Sequence, residues 1–219
     1  MKTRASQQGF SLVELLVVLG VVAILAGLTA PSIISSMRGS TLNQGAQKVT
    51  NELMVARQTA LARNHAVEVR FYQIAKAGSA GETAGSPATG KFRAMQSFIF
   101  DDAGNATAID KVQWLPDGII IDAGGTLSTL FNTSLDPTMK KTWGAAGDPQ
   151  ISLPTVGTAY NALAFQFLPD GSTNLKLIAQ QWFLTLHSLS LGDNLAALPK
   201  NFFMLQIDPL NGHVQNYRP

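Results

Sequence analysis

Glu14 is the residue best placed to do chemistry, because it is the single charge in an apolar run from Phe10 to Ala30. A carboxylate carried into hydrocarbon loses several kcal/mol of hydration, so it must take up a proton or find a cation. Such a residue in such a run is a candidate functional group by default. The other chemistry-bearing residues combine less well. His65, His187 and His213 are the only histidines, they fall in separate segments without metal-ligand spacing, and surface or turn positions are expected for them. Asp101, Asp102 and Asn105 offer oxygen ligands, yet their spacing misses that of an EF-hand loop and suits a turn. Asp170-Gly171-Ser172 brings a hydroxyl near a carboxylate with no histidine placed to serve it, and reads as a β-turn. The chain has no cysteine, so thiolate nucleophiles, thiolate metal sites and disulfides are excluded. It has no phosphate-binding glycine loop and no nucleophile elbow. No catalytic residue, metal or cofactor is expected, and the chain reads as a non-enzyme.

The elements around Glu14 must position it. Residues 1–9 form a short polar leader with Lys2 and Arg4, ending at Gly9. The run from Phe10 to Ala30 is 21 residues long, and as a helix it spans roughly 30 Å, the thickness of a hydrocarbon core. A secretory signal has a shorter apolar core with its cleavage site after it. Here the Gly9–Phe10 junction precedes the run, so a cut there leaves the hydrophobic helix on the mature protein. A plain signal anchor accounts for Lys2 and Arg4 through the positive-inside tendency, but not for Gly9, Phe10, Glu14 and the closing Pro31 together. That set resembles the class III signal of type IV pilins and pseudopilins. The resemblance implies that a prepilin peptidase cuts Gly9–Phe10 and methylates the new Phe10 amine. It also implies that Glu14, fifth in the mature chain, neutralises that amine on a neighbouring subunit during assembly. The charge chemistry agrees, since after such a cut the Phe10 amine is the only cation the apolar region could offer.

Composition bounds the remainder. Of 219 residues, 46% are hydrophobic and 14% charged, enough for one domain with its own core after the leader and membrane segment are set aside. Residues 31–65 carry Arg38, Lys48, Arg57 and Arg63 against Glu52, a balance of +3, and residues 66–219 carry ten basic against twelve acidic groups, a balance of −2. The globular part is therefore no basic module, which argues against nucleic acid as a partner.

Past Pro31 a helical pattern resumes: Leu42, Ala46, Val49, Leu53, Ala56 and Ala60 step by four and three along one face. We expect one helix from about Phe10 to about Asn64, kinked at Pro31, its first half in membrane and its amphipathic half at 31–65. Arg57 and Arg63 fall on different faces, solvated or aimed at neighbours. Residues 66–219 read as strands at 66–74, 92–100, 111–115, 119–122, 162–168, 175–178, 182–186, 202–207 and 213–217. Leu-Pro-Asp-Gly turns occur at 115–118 and 168–171, and DDAGNA at 101–106 is a further turn. The strand aromatics Phe71, Tyr72, Phe98, Phe100, Phe165, Phe167, Phe202 and Phe203 suit a core better than a platform for bases. The stretch from about 122 to 160 is long, rich in Gly, Pro, Ser and Thr, and poorly periodic, an insertion. The expected fold class is α+β, a long N-terminal helix packed on an antiparallel β-sandwich.

Downstream segments narrow the resemblance. Residues 53–60 (LMVARQTA) leading to Val67-Glu68-Val69, the turn at 115–119, Phe-Leu-Pro-Asp-Gly-Ser at 167–172 and residues 207–214 are similar to the GspH/FimT group of minor pseudopilins. Residues 67–71, 92–96, 182–186 and the terminal Tyr217-Arg218-Pro219 look more closely like the Verru_Chthon cassette protein D family. These resemblances imply a structural subunit of a type II secretion or type IV pilus-like filament. Its partners would be other pilin subunits, the prepilin peptidase and an inner-membrane assembly platform. It would cross the inner membrane once, with its C-terminal domain in the periplasm. Two alternatives stay open: a FimT-like DNA-binding minor pilin at a filament tip, weakened because Arg218 is the only Lys or Arg after Lys200, and an anchored domain that never polymerises.

Overall fold

The computed structural model describes residues 11–144, 147–178 and 181–219, with side chains given for all of these but 26–36. The chain divides into two compact units, with the boundary between Ser40 and Thr41. Helix α1 (Leu12–Arg63) has 52 residues, the later ones belonging to the second unit. Its helical assignment continues through Pro31, Gly39 and Gly45. The end is set by Asn64, which takes a left-handed φ of 53° just beyond the last turn, a position Asn tolerates better than most residues. Arg63 stands in that last turn, where a cation complements the helix dipole.

In the second unit the stripe read from the sequence is the buried face. Leu42, Ala46, Val49, Leu53, Ala56 and Ala60 are all at most 1% exposed. All but Ala46 share one core with Val67, Val69 and Phe71 of β1 (Val67–Ile74), Met95 of β2 (Lys91–Phe100), and Phe165 and Phe167 of β6 (Asn161–Phe167). Trp182, Leu184 and Leu186 of β7 (Trp182–Ser188) and Leu205 and Ile207 of β8 (Phe203–Ile207) belong to it too. Removing these side chains from water, at about 25 cal/mol per Å2 of apolar surface, is what holds the helix on the strands.

The α+β expectation holds, and with β5 (Ile119–Ile121) and β9 (Val214–Tyr217) the described strands join one nine-stranded sheet, ordered β6-β1-β2-β5-β7-β8-β9. β2 is its organiser. One edge pairs with β1 from Ile74↔Lys91 to Val67↔Ile99. The other takes β3 (Ala106–Ala108), β4 (Gln113–Trp114) and β5 (Ile119–Ile121) in succession. β5 meets β2 only at Phe92↔Ile121, so that pair joins the arm β6-β1-β2 to the arm β5-β7-β8-β9. β9 (Val214–Tyr217) closes the far edge. Every pairing is antiparallel.

Two strand expectations change. Leu175–Ile178 is irregular: Leu175 reaches the core, its N–H goes to Thr173 Oγ1 (3.3 Å), and the Lys176 carbonyl accepts Trp182 Nε1–H (2.9 Å), so no ladder forms. β3 begins at the end of the expected 101–106 turn and is short enough to escape a periodicity reading. Both Leu-Pro-Asp-Gly turns are present, with Gly118 and Gly171 at φ 80° and 84°. Within 122–160, short 3-10 turns at Thr129–Phe131 and Pro137–Met139 send Leu130, Phe131 and Met139 into the main core.

Candidate functional site

Ser11 and Glu14 close the start of α1 on each other. The Glu14 N–H donates to Ser11 Oγ (3.2 Å) and the Ser11 N–H donates to Glu14 Oε2 (3.0 Å). This is a reciprocal capping box, which satisfies two of the donors a helix N-terminus leaves unpaired. The signal was present in the sequence as Ser11-Leu-Val-Glu14, a Ser three residues before a Glu. A carboxylate held there complements the positive end of the helix dipole and keeps lone pairs free for a cation. Gly9 and Phe10, the expected processing site, lie outside the described residues.

From Leu15 to Leu25 the helix is apolar all round. Leu12, Val13, Leu15, Leu16, Val17, Val18, Leu19, Val21, Val22, Ile24 and Leu25 are all at least half exposed. A helix hydrophobic on every face is one that something apolar must cover. Among the described residues no helix is long and apolar enough to cross a membrane. Only Ser11–Leu25 of the run carries described side chains, about 22 Å of helix. Pro31 is helical in backbone and its side chain is not described.

The residues discounted on sequence are turn formers or core. Asp101 accepts from Asn105 N–H (2.7 Å) and Nδ2 (2.8 Å), and Ser172 donates through N–H (2.9 Å) and Oγ (2.6 Å) to Asp170, so each carboxylate pins its own turn. His65 lies 3.7 Å from Asp102 and His213 is exposed. His187 corrects the expectation of a surface or turn residue: it is fully buried in β7, Nε2 2.9 Å from Asp122 Oδ2. Its pairing opposite the buried Ile120, on the sheet face away from Leu184 and Leu186, makes this clear in three dimensions, where its sequence neighbours did not. Arg57 donates from Nε to the Asn211 carbonyl (2.9 Å), tying α1 to the β8–β9 turn.

A second buried charge group also escaped the sequence. Arg70 of β1, wholly buried, reaches Glu68 and Asp148 at 2.6 Å each, while Lys141 lies 2.7 Å from Glu68 and also bonds Asp148. The guanidinium stacks 3.8 Å over the Phe98 ring. Burial raises the Asp148 pKa, but its bonds and charges from Lys141 and Arg70 outweigh this and hold it below the ordinary value. Two strand residues thereby grip two residues of the 122–160 stretch. A cleft of about 410 Å3 opens elsewhere on this unit, lined among others by Lys76, Arg93, Trp114, Pro116, Asp117 and Leu189. Its charges are matched: Lys76 lies 2.8 Å from Asp117, and Arg93 is held bidentately by Glu82 at 2.8 and 2.7 Å.

Residues 4–30 match the prokaryotic N-terminal methylation motif. No curated protein sequence matches the chain. A crystal structure of the type IV minor pilin FimU from Pseudomonas aeruginosa is similar at 12% identity, covering 81% of this chain and 92% of that one, with a TM-score of 0.41.

Proposed function

We propose that this chain is a minor pilin-like structural subunit, anchored by its N-terminal helix and assembled through it into a type IV pilus-like or type II secretion filament. The observation that carries the reading is the methylation motif over residues 4–30, set on a helix whose residues Leu12–Leu25 expose apolar side chains on every face. A prepilin peptidase cuts Gly9–Phe10 and methylates the Phe10 amine. The apolar helix holds the subunit in the inner membrane, with the strand-rich unit in the periplasm and Pro31 as a bend. An assembly platform then draws the subunit from lipid into a bundle of like helices, where Glu14 meets the Phe10 amine of a neighbour. The capping box supports the last step, since it holds the Glu14 carboxylate at the helix start with capacity left to accept from a cation. No catalytic role is assigned.

Intact-mass and N-terminal peptide analysis of the protein taken from its host membranes tests this reading. A start at N-methyl-Phe10 is expected. A Met1 start would leave a membrane-tethered domain and remove the support for assembly.

A further inference from the structure

His187 faces acceptors on both sides of its ring. Nε2 is 2.9 Å from Asp122 Oδ2, and Nδ1 is 3.0 Å from the Ser188 carbonyl oxygen. A neutral imidazole carries one N–H, so it serves one of these acceptors and turns a lone pair on the other; an imidazolium serves both. Asp122 is equally buried. Its Oδ1 accepts from Gly124 N–H (2.8 Å) and its Oδ2 from Leu195 N–H (3.1 Å). Asp193 accepts from Ala123 N–H (2.8 Å), and its other oxygen lies 3.3 Å from Lys91 Nζ. The segment between β7 and β8 is thus tied down through Asp122 and Asp193. Its first residue, Leu189, donates to the Gly118 carbonyl (2.8 Å) and walls the 410 Å3 cleft. The packing is close, since a Cβ on Gly124 would lie 2.4 Å from Asn194 Oδ1 and 2.8 Å from Asp122 Oδ1.

We propose that Asp122 and His187 form a proton-dependent clasp, which holds residues 189–195 and the Leu189 wall of the cleft in place while His187 is charged and loosens them when it is neutral. The charged groups facing His187 are Asp122 and Asp193, with Lys91 bound to Asp193. Burial draws the ring toward neutrality, but the acceptors Asp122 and Ser188 and the charge of Asp193 outweigh it and hold the His187 pKa above its ordinary value. For Asp122, burial raises the pKa, but the His187, Leu195 and Gly124 donors outweigh it and hold the group below the ordinary carboxylate range. The signs fix the window. His187 contributes fully below its unfolded value of about 6.5 and loses that contribution as pH rises through its raised folded value. Asp122 contributes above its unfolded value of about 3.9 and loses it as pH falls through its lowered folded value. The clasp is whole between the two folded values.

Hydrogen exchange of the full chain in detergent micelles, corrected for intrinsic rates, tests the clasp at about pH 6 and about pH 9. Protection of amides 189–195 should fall by roughly tenfold or more at the higher pH, in step with the His187 ring titration read by NMR, while β1 and β6 keep theirs. In His187→Gln the same amides should be weakly protected at both values. Constant protection while His187 titrates overturns the proposal, and so does an equal loss in β1 and β6, which would report general unfolding. The wild-type titration decides the matter even if the variant does not fold.

Discussion

Glu52 is a buried acid on α1 whose carboxylate accepts from the Ser97 hydroxyl at 2.5 Å. Burial pushes its pKa up, the Ser97 bond offsets part of that, and the charge of Asp110 adds to it. An acid with a raised folded pKa loses stability as pH rises through that value, because the folded state must then hold a poorly solvated charge. Glu52→Gln keeps an acceptor for Ser97 and removes the charge. We expect it to flatten that decline and gain on the order of 1 kcal/mol at about pH 8 but not at about pH 5, measured by urea unfolding of the full chain in detergent. Gly212 makes the opposite case. Its φ is 63°, and a Cβ there would approach the Gly171 carbonyl oxygen to 2.4 Å. Gly212→Ala should cost about 2 kcal/mol and lower Tm by about 6 °C in a thermal melt.

Elements divide into those that announce themselves and those that lean on others. The α1 stripe and the longer strands carry a period, so local spacing already implies which face is buried. The 122–160 stretch has none; its buried residues arrive singly between turns and gain meaning only against the sheet. The link is the Glu68–Arg70–Lys141–Asp148 network. Removing one member of a buried ion network leaves its partners uncompensated, so Arg70→Ala should cost about 3–5 kcal/mol. Limited proteolysis should then cut first within 136–160, ahead of β1 and β2. A variant cut at the same places and rates as the parent would show that the network does not hold the stretch.

The whole molecule sets an apolar helical segment on one unit and a complete core in another. Every buried residue of the main core lies between Leu42 and Ile207, inside the unit that begins at Thr41. A fragment of residues 41–219 should therefore unfold in one cooperative transition in aqueous buffer without detergent, followed by circular dichroism and tryptophan fluorescence together. Non-coincident transitions would show that the first forty residues are needed for the core. The full chain should need detergent or lipid, because Leu12–Leu25 leave large apolar side chains exposed on all sides.

Spacing alone determined the long helix with its buried stripe, the antiparallel strand-rich remainder and both Leu-Pro-Asp-Gly turns, since each is a local pattern that neighbouring residues enforce. It also held the capping box, three residues apart and open to reading. Tertiary structure alone decided that His187 meets Asp122 across 65 residues and that Arg70 meets Asp148 across 78. Such pairs depend on which strands lie side by side and how far each side chain is drained of water. A charged or polar residue in a strand looks the same in sequence whether it faces solvent or a buried partner.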